Sequence, residues 1–156
     1  MQLITLAVAA SSLLGSSLAA PLESRATEQF SVTQWTFTRG SDAYDYSFTV
    51  SGTQSGHIPH FVATCEGQTQ QGGYVQCSLM APGPQKTIPD IYAKVKVVTS
   101  SSDPNDSVPK VTIKEEYEQN GCEYAVVGKA EAKANSNPNS KAGNSFNITP
   151  SISSVC

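Results

Sequence analysis

The sequence predicts an all-β protein, a small antiparallel β-barrel or sandwich of seven to eight strands with two disulfides. Apolar and polar residues alternate with a period of two through most of the chain, as they do in half-buried strands. Clusters of Gly, Pro, Asn, Asp and Ser separate these alternating segments at the short intervals typical of antiparallel folds. Four cysteines among 156 residues predict two disulfides rather than a zinc site.

The strand pattern is clearest in residues 122–134. A helix would spread Lys129, Glu131 and Lys133 over several faces and break any apolar stripe, although Ala, Lys and Glu are good helix formers. A strand places these charges on one face. The other strand candidates are residues 30–38, 44–50, 60–65, 74–80, 91–97, 110–117 and 146–152.

Two local patterns predict details of these strands. In residues 30–38 the apolar side chains change parity between Val32 and Trp35, which predicts a bulge near Thr33-Gln34 or burial on both faces. The dipeptide Asn120-Gly121 predicts a type I′ hairpin turn, because both of its central positions require a positive φ.

Small residues on one face of the 122–134 segment allow two interpretations. Gly128, Ala130, Ala132 and Ala134 either let another segment approach closely in a tapering interior or leave room for a small apolar ligand. The tapering interior is favoured, because small barrels alternate small and large side chains to fill themselves.

The first 25 residues have the organisation of a processed secretory leader. Residues 1–19 predict a signal peptide, with an apolar core from Leu3 to Leu18 and a small-x-small cleavage site. Residues 20–25 form a polar stub that ends at Arg25 and predicts a pro-peptide. A single all-β domain then spans residues 26–156, about 131 residues. We therefore expect a secreted, extracellular protein.

The charge disfavours two classes of partner. Ten basic and thirteen acidic residues are spread along the chain and give a formal net charge of −3, whereas nucleic acid binding needs a clustered excess of Lys and Arg. No segment beyond the leader is apolar enough to span a bilayer, so membrane insertion is not expected.

The cysteine spacing predicts which disulfides form. Cys65 and Cys77 flank a Gly- and Gln-rich stretch that predicts a hairpin loop, and a bridge across it needs little chain excursion. Elimination then pairs Cys122 with Cys156. No Cys/His zinc pattern occurs, and no metal or cofactor is expected.

No pattern of catalytic residues stands out. His57, His60 and Glu66, with the sole mature-chain arginine Arg39, make a nuclease-like set only if the fold brings them together. The adjacent carboxylates Glu115 and Glu116 would point to opposite faces of a strand and so could not flank one glycosidic bond. With Glu118 they are expected to form a solvated surface. The protein is therefore not expected to be an enzyme.

Two kinds of surface feature remain. Asn105 and Asn147 begin glycosylation sequons, and Asn105 is the stronger candidate because it lies in a polar loop. Four lysines on neighbouring strand candidates are predicted to form a basic surface patch or to protect a sheet edge: Lys94, Lys96, Lys110 and Lys114.

The organisation of the chain resembles the Alt a 1-like family of fungal secreted proteins, which includes elicitors of the plant hypersensitive response. The resemblance rests on the signal, the stub at residues 20–25, the β-rich mature part and the four cysteines. Its most telling piece is Phe61-Val62-Ala63-Thr64-Cys65, the polar loop, and Tyr74-Val75-Gln76-Cys77-Ser78, which resembles the family's first disulfide hairpin. The wide spacing of Cys122 and Cys156 departs from the family pattern.

The resemblance implies a secreted fungal effector or elicitor that contributes to virulence. Such a protein would act in the plant apoplast without enzymatic activity, and a plant extracellular protein or receptor would recognise it and start defence responses or hypersensitive cell death. Two alternatives stay open, a carrier of a small apolar ligand such as a flavonoid or lipid in a barrel cavity, and a secreted hydrolase or nuclease.

Overall fold

The computed structural model describes residues 29–53, 59–82, 87–99, 107–132 and 144–156, and in these ranges the fold is all-β without an α-helix. One turn of 3-10 helix spans Thr69–Gln71. No helix in the described ranges is long and apolar enough to cross a membrane. The strands are β1 Phe30–Arg39, β2 Tyr44–Gly52, β3 Phe61–Gln68, β4 Val75–Gln76, β5 Ser78–Pro82, β6 Asp90–Thr99, β7 Ser107–Gln119, β8 Cys122–Glu131, β9 Asn144–Ile148 and β10 Pro150–Val155.

The strands form two five-stranded antiparallel sheets. The first has the order β5-β3-β2-β1-β9 and the second the order β10-β8-β7-β6-β4. Two chain segments pass from one sheet to the other, since only Cys77 separates β4 from β5 and only Thr149 separates β9 from β10. These corner segments join the sheets at both sides. The predicted all-β fold is confirmed, and its eight strand candidates become ten strands because two of them are divided at the corners.

The core lies between the two sheets and follows from the alternation. The inward faces of both sheets contribute fully buried side chains, among them Trp35 and Phe48 from the first sheet and Ile113 and Val126 from the second. Burial of each such side chain contributes about 1.5–3 kcal/mol relative to exposure. Packing between the sheets therefore supplies the main driving force for the fold.

A bulge in β1 keeps its apolar residues on the core side. Gln34 has a φ of 54°, and the register with β2 shifts between Thr33 and Thr36. The extra residue changes the parity of the strand, so that Val32 and Trp35 are both fully buried. The predicted bulge is confirmed.

The β7–β8 hairpin turns at the predicted dipeptide. Asn120 and Gly121 have φ values of 55° and 77°, and Gln119 pairs with Cys122 across a two-residue loop. Positive φ at both central residues is the requirement of a type I′ turn, so this prediction is also confirmed. The turn fixes the register of β7 against β8, and with it the neighbours of every side chain on the second sheet.

Both predicted disulfides are present. Cys65 of β3 is bonded to Cys77, and the backbone N–H of Cys77 donates a hydrogen bond of 2.8 Å to the carbonyl of Ile91 in β6. Cys77 therefore links the first sheet to the second at one corner. Cys122, at the start of β8, is bonded to Cys156, which follows the edge strand β10 and holds its end.

Removal of the corner disulfide should destabilise the protein clearly. The double substitution Cys65→Ala with Cys77→Ala opens a loop of 12 residues, which costs about 3 kcal/mol in the chain-entropy model. The matched pair Cys122→Ala with Cys156→Ala opens a loop of 34 residues and should cost about 4 kcal/mol. Denaturant unfolding measures both values. A cost below about 1 kcal/mol for the first pair would contradict a structural role for that disulfide.

Gly128 allows β8 to approach β9 closely. A Cβ atom built at position 128 would lie 2.5 Å from Cγ2 of Ile148 and 3.2 Å from Cδ2 of Phe30. Ile148 and Phe30 are themselves buried and fill the space that a larger residue would occupy. At this point of the strand the small residue serves close packing, as the tapering interpretation expects, and leaves no room for a ligand.

Enlargement of Gly128 should therefore strain the core. We expect Gly128→Ala to cost about 1–3 kcal/mol, because the added methyl group overlaps Ile148 and two sheets must move to accommodate it. Gly73→Ala is the matched control, since the nearest atom there is 3.7 Å from the built Cβ. Equal stability of the two variants in denaturant unfolding would refute the packing role of Gly128.

Glu115 departs from the sequence-based expectation. It was expected on a solvated surface with Glu116 and Glu118, but its side chain is fully buried. The register places it on the inward face of β7 between Ile91 of β6 and Val126 of β8. The opposite orientation of Glu115 and Glu116 follows from the strand period, whereas the burial depends on which face of β7 meets the first sheet.

Candidate functional site

The four predicted lysines lie together on the outer face of the second sheet. Lys94 and Lys96 alternate with inward residues on β6, and Lys110 and Lys114 do so on β7. Lys96 is directly opposite Lys110 in the register of the two strands. Strand β7 is paired on both sides, so Lys110 and Lys114 do not lie at a sheet edge. Within the described residues strand β4 pairs only with Tyr92 and Ala93 of β6, so Lys94 and Lys96 lie beyond it, where edge protection stays a prediction for them.

The structure adds Lys129 of β8 to this group. Lys129 is opposite Thr112 of β7, and Lys94 is opposite Thr112 from the other side. Sequence reasoning placed Lys129 on an outward face but not beside the other lysines, because that step needs the register of three strands. Six residues line a hollow of about 270 Å³ on this face, which we call the lysine hollow: Tyr74, Lys94, Lys96, Lys110, Thr112 and Lys129.

Positive charge in the lysine hollow is not neutralised within the described part of the chain. The salt bridge between Lys114 and Glu116, at 2.9 Å, lies in the described part of the chain but outside the hollow. The nearest acidic residue in the register is Glu131, opposite Lys110, and it makes no salt bridge with the hollow's lysines. Like charges directly opposite on two strands destabilise a sheet, so these ammonium groups are gathered at a cost.

The electrostatics of Lys94 reflect this crowding. Desolvation lowers the pKa of Lys94, and the neighbouring positive charge of Lys96 lowers it further. Both effects disfavour a charge that has no counterion nearby. A bound anion would oppose the second effect directly.

Aromatic rings hold the lysines at one side of the hollow. The Nζ atom of Lys114 is 4.9 Å from the ring centre of Tyr74 and 4.9 Å from that of Tyr92, and Nζ of Lys94 is 5.6 Å from the ring of Tyr74. These distances are within the range of cation–π attraction. Tyr74 is 42% exposed, so its ring forms a visible wall of the hollow.

The opposite end of the same sheet face is acidic. A second hollow of about 530 Å³ lies at this end of the sheet. The rings of Tyr117 and Tyr124, whose centres are 5.0 Å apart, also line it, but they belong to the inward face of the sheet because they share the strand period of Glu115 and Val126. The acidic residues that line it are Asp90, Glu116, Glu118 and Glu123. The outer face of the second sheet therefore changes from basic to acidic along its strands.

The histidine-based set does not converge in the part of the chain that the structure describes. His60 immediately precedes β3 and Glu66 lies near the end of that strand, six positions on, so the two are about 20 Å apart in an extended chain. Arg39 ends β1, and His57 lies outside the described residues. Across the described ranges, no three His, Cys, Asp or Glu side chains are grouped so that they could hold a metal ion.

Of the two predicted glycosylation sites, one lies within the described residues. Asn147 lies on β9 with an exposed side chain, whereas Asn105 lies outside the described residues. The predicted signal peptide and the stub that ends at Arg25 also lie outside them.

The comparisons with known proteins identify no relative. No family model, no curated protein and no solved structure matches the chain. The functional argument therefore depends on the site itself.

Relief of the charge crowding should stabilise the fold. We expect Lys96→Gln to raise the free energy of unfolding by roughly 0.5 kcal/mol at low salt, because Lys96 faces Lys110 and has no acidic residue opposite. The gain should shrink as salt screens the repulsion. Lys114→Gln is the control with the opposite sign, since it breaks the salt bridge to Glu116. A loss of stability in Lys96→Gln, measured by urea unfolding at low and high salt, would contradict the repulsion.

Proposed function

We propose that the protein is a secreted fungal effector or elicitor that acts by binding, without catalysis, in the extracellular space of a plant. The signal-like leader, the two disulfides and the resemblance to the Alt a 1-like family support this setting. The proposed partner is a plant extracellular protein or receptor that recognises this chain. Defence responses or local cell death are the expected consequences.

The observation that carries the proposal is the lysine hollow. A protein with a net charge of −3 gathers four lysines around one hollow, and none of the four forms a salt bridge within the described part of the chain. Natural proteins break a local stability rule of this kind mostly at functional sites. Strands β6, β7 and β8 pair with one another beneath the hollow, and the sheet is braced by a disulfide, which gives a contact surface of fixed shape.

Surface binding is better supported than the carriage of an apolar ligand. The small residue Gly128 on the inward face of β8 is packed against Ile148 and Phe30. The lysine hollow, for its part, is lined by charged and hydroxyl-bearing groups, which favour an anionic or polar partner.

Leaf infiltration with the purified mature chain, residues 26–156, tests the proposal. We expect an oxidative burst and cell death from the disulfide-bonded protein, and a strongly reduced response from a reduced and alkylated sample, because the shape of the sheet is lost. The double variant Lys96→Gln with Lys110→Gln should also provoke only a weak response in the leaf, since it removes two charges from the hollow.

Arg39→Gln supplies the matched control. It removes a positive charge from the end of β1 in the other sheet and should leave the response unchanged. Absence of any response to the native protein across several plant species would refute the elicitor proposal. A full response to the double lysine variant would show that another surface is recognised.

A further inference from the structure

We propose that the lysine hollow binds an acidic polysaccharide, a chain of uronate sugars with a carboxylate on each ring. The inference rests on the proposed function only for its plant-surface setting, and it names the chemical class that this face would bind. Three features carry it: the charge of the hollow, its aromatic wall and its size.

The charges suit a polymer of separated carboxylates. Lys94 and Lys96 are two residues apart on one strand, which places their backbone positions about 7 Å apart, and the neighbouring strands lie about 5 Å away. Lysines at this spacing can each meet a different carboxylate, because the ammonium group is a compact charge on a flexible stem. Charge-assisted hydrogen bonds to carboxylates would replace the repulsion between Lys96 and Lys110 with attraction to a shared ligand.

The remaining groups of the hollow suit a sugar ring. The exposed part of the Tyr74 ring offers an apolar surface on which the C–H groups of a pyranose can pack, while the ammonium groups of Lys94 and Lys114 lie over the ring and hold it in place. The hydroxyl groups of Tyr74 and Thr112 can exchange hydrogen bonds with sugar hydroxyls, since each is both a donor and an acceptor.

The size of the hollow limits the occupant to a small part of a longer chain. Its volume of about 270 Å³ lies just below the range of ligand pockets, which begins at about 300 Å³, so one or two sugar rings would fill it. Because it lies on the outer face of a sheet, the polymer can continue beyond it on the side away from the acidic residues. A single small sugar acid would contact the same lysines, but it would lack the additional contacts that the neighbouring rings of a polymer make.

A nucleic acid fits this face less well. Its phosphates form a dense continuous charge, and arginine is the residue usually chosen to recognise them, yet none lines the hollow. Repulsion by Glu116, Glu118 and Glu123 at the acidic end of the same face would oppose either polymer there, so the absence of arginine from the hollow is the ground for preferring the uronate chain.

A binding titration with purified, disulfide-bonded protein tests the inference. The probes are polygalacturonate, the same polymer with its carboxylates fully methyl-esterified, single-stranded DNA and inorganic polyphosphate. We expect saturable binding to polygalacturonate that is at least about tenfold tighter than binding to the esterified polymer, because a hydrogen bond to a charged group is worth about 1.5–3 kcal/mol. Salt should weaken this binding progressively.

Substitutions then locate the site. The double variant Lys96→Gln with Lys110→Gln should bind at least about tenfold more weakly, whereas Arg39→Gln should bind as the native protein does. Tyr74→Ala should weaken binding, and Tyr74→Phe should restore most of it if the ring face packs on the sugar. Denaturant unfolding confirms that each variant is folded.

Several outcomes would overturn the inference: no saturable binding to polygalacturonate, equal binding to the esterified polymer, tighter binding to DNA or polyphosphate, or unchanged binding in the double lysine variant. The leaf assay separates this result from the proposed function. A protein that binds polygalacturonate but provokes no response refutes only the elicitor proposal, and a protein that provokes a response without binding refutes only the polysaccharide inference.

Discussion

The backbone at Cys77 belongs to both sheets, and the geometry of the second sheet's outer face depends on it. The disulfide to Cys65 fixes this residue to β3, and its N–H fixes it to the carbonyl of Ile91 in β6. The two-residue strand β4, which directly precedes it, pairs with Ala93 and Tyr92. A strand this short makes few bonds of its own, so the corner supplies most of its attachment to the sheet.

The lysine hollow inherits its aromatic wall from this corner. Tyr74 directly precedes β4, and its ring stands over the ammonium groups of Lys94 and Lys114 because β4 lies beside β6. A structural disulfide and a functional surface are thereby connected through two residues of backbone. Loss of the corner at Cys77 would leave the lysines on their strands but would release the ring of Tyr74. The hollow would then keep its charge and lose its shape.

The two ends of the second sheet's face show how charge is distributed in a protein with a modest net charge. Lysines gather around Thr112, and carboxylates gather in the cross-strand pairs Asp90–Glu116 and Glu118–Glu123, with the Lys114–Glu116 salt bridge at the boundary. The net value of −3 conceals this separation. A partner whose charge differs between its two ends would therefore be oriented as well as attracted by this face.

Local features of the fold follow from the sequence alone. The strand segments depend on the alternation of neighbouring side chains, the bulge at Gln34 on a change of parity within one strand, and the turn at Asn120-Gly121 on backbone freedom at two residues. Both disulfide pairings were predictable because a hairpin loop separates Cys65 from Cys77 and only two cysteines then remain. Apart from the Cys122–Cys156 pairing, which follows by elimination, each of these inferences uses information within a short stretch of chain.

Tertiary structure decided everything that depends on which strands are neighbours. Lys129 joins the hollow, and Lys96 meets Lys110, only because β6, β7 and β8 are adjacent in a particular register. Glu115 is buried because its face of β7 is turned toward the first sheet, and Gly128 is required because β9 returns from distant sequence to pack against β8. Alternation along a strand indicates that its two faces differ. Which residues are neighbours across a sheet is set by long-range pairing. The sequence therefore determined the strands, and the tertiary structure determined the site.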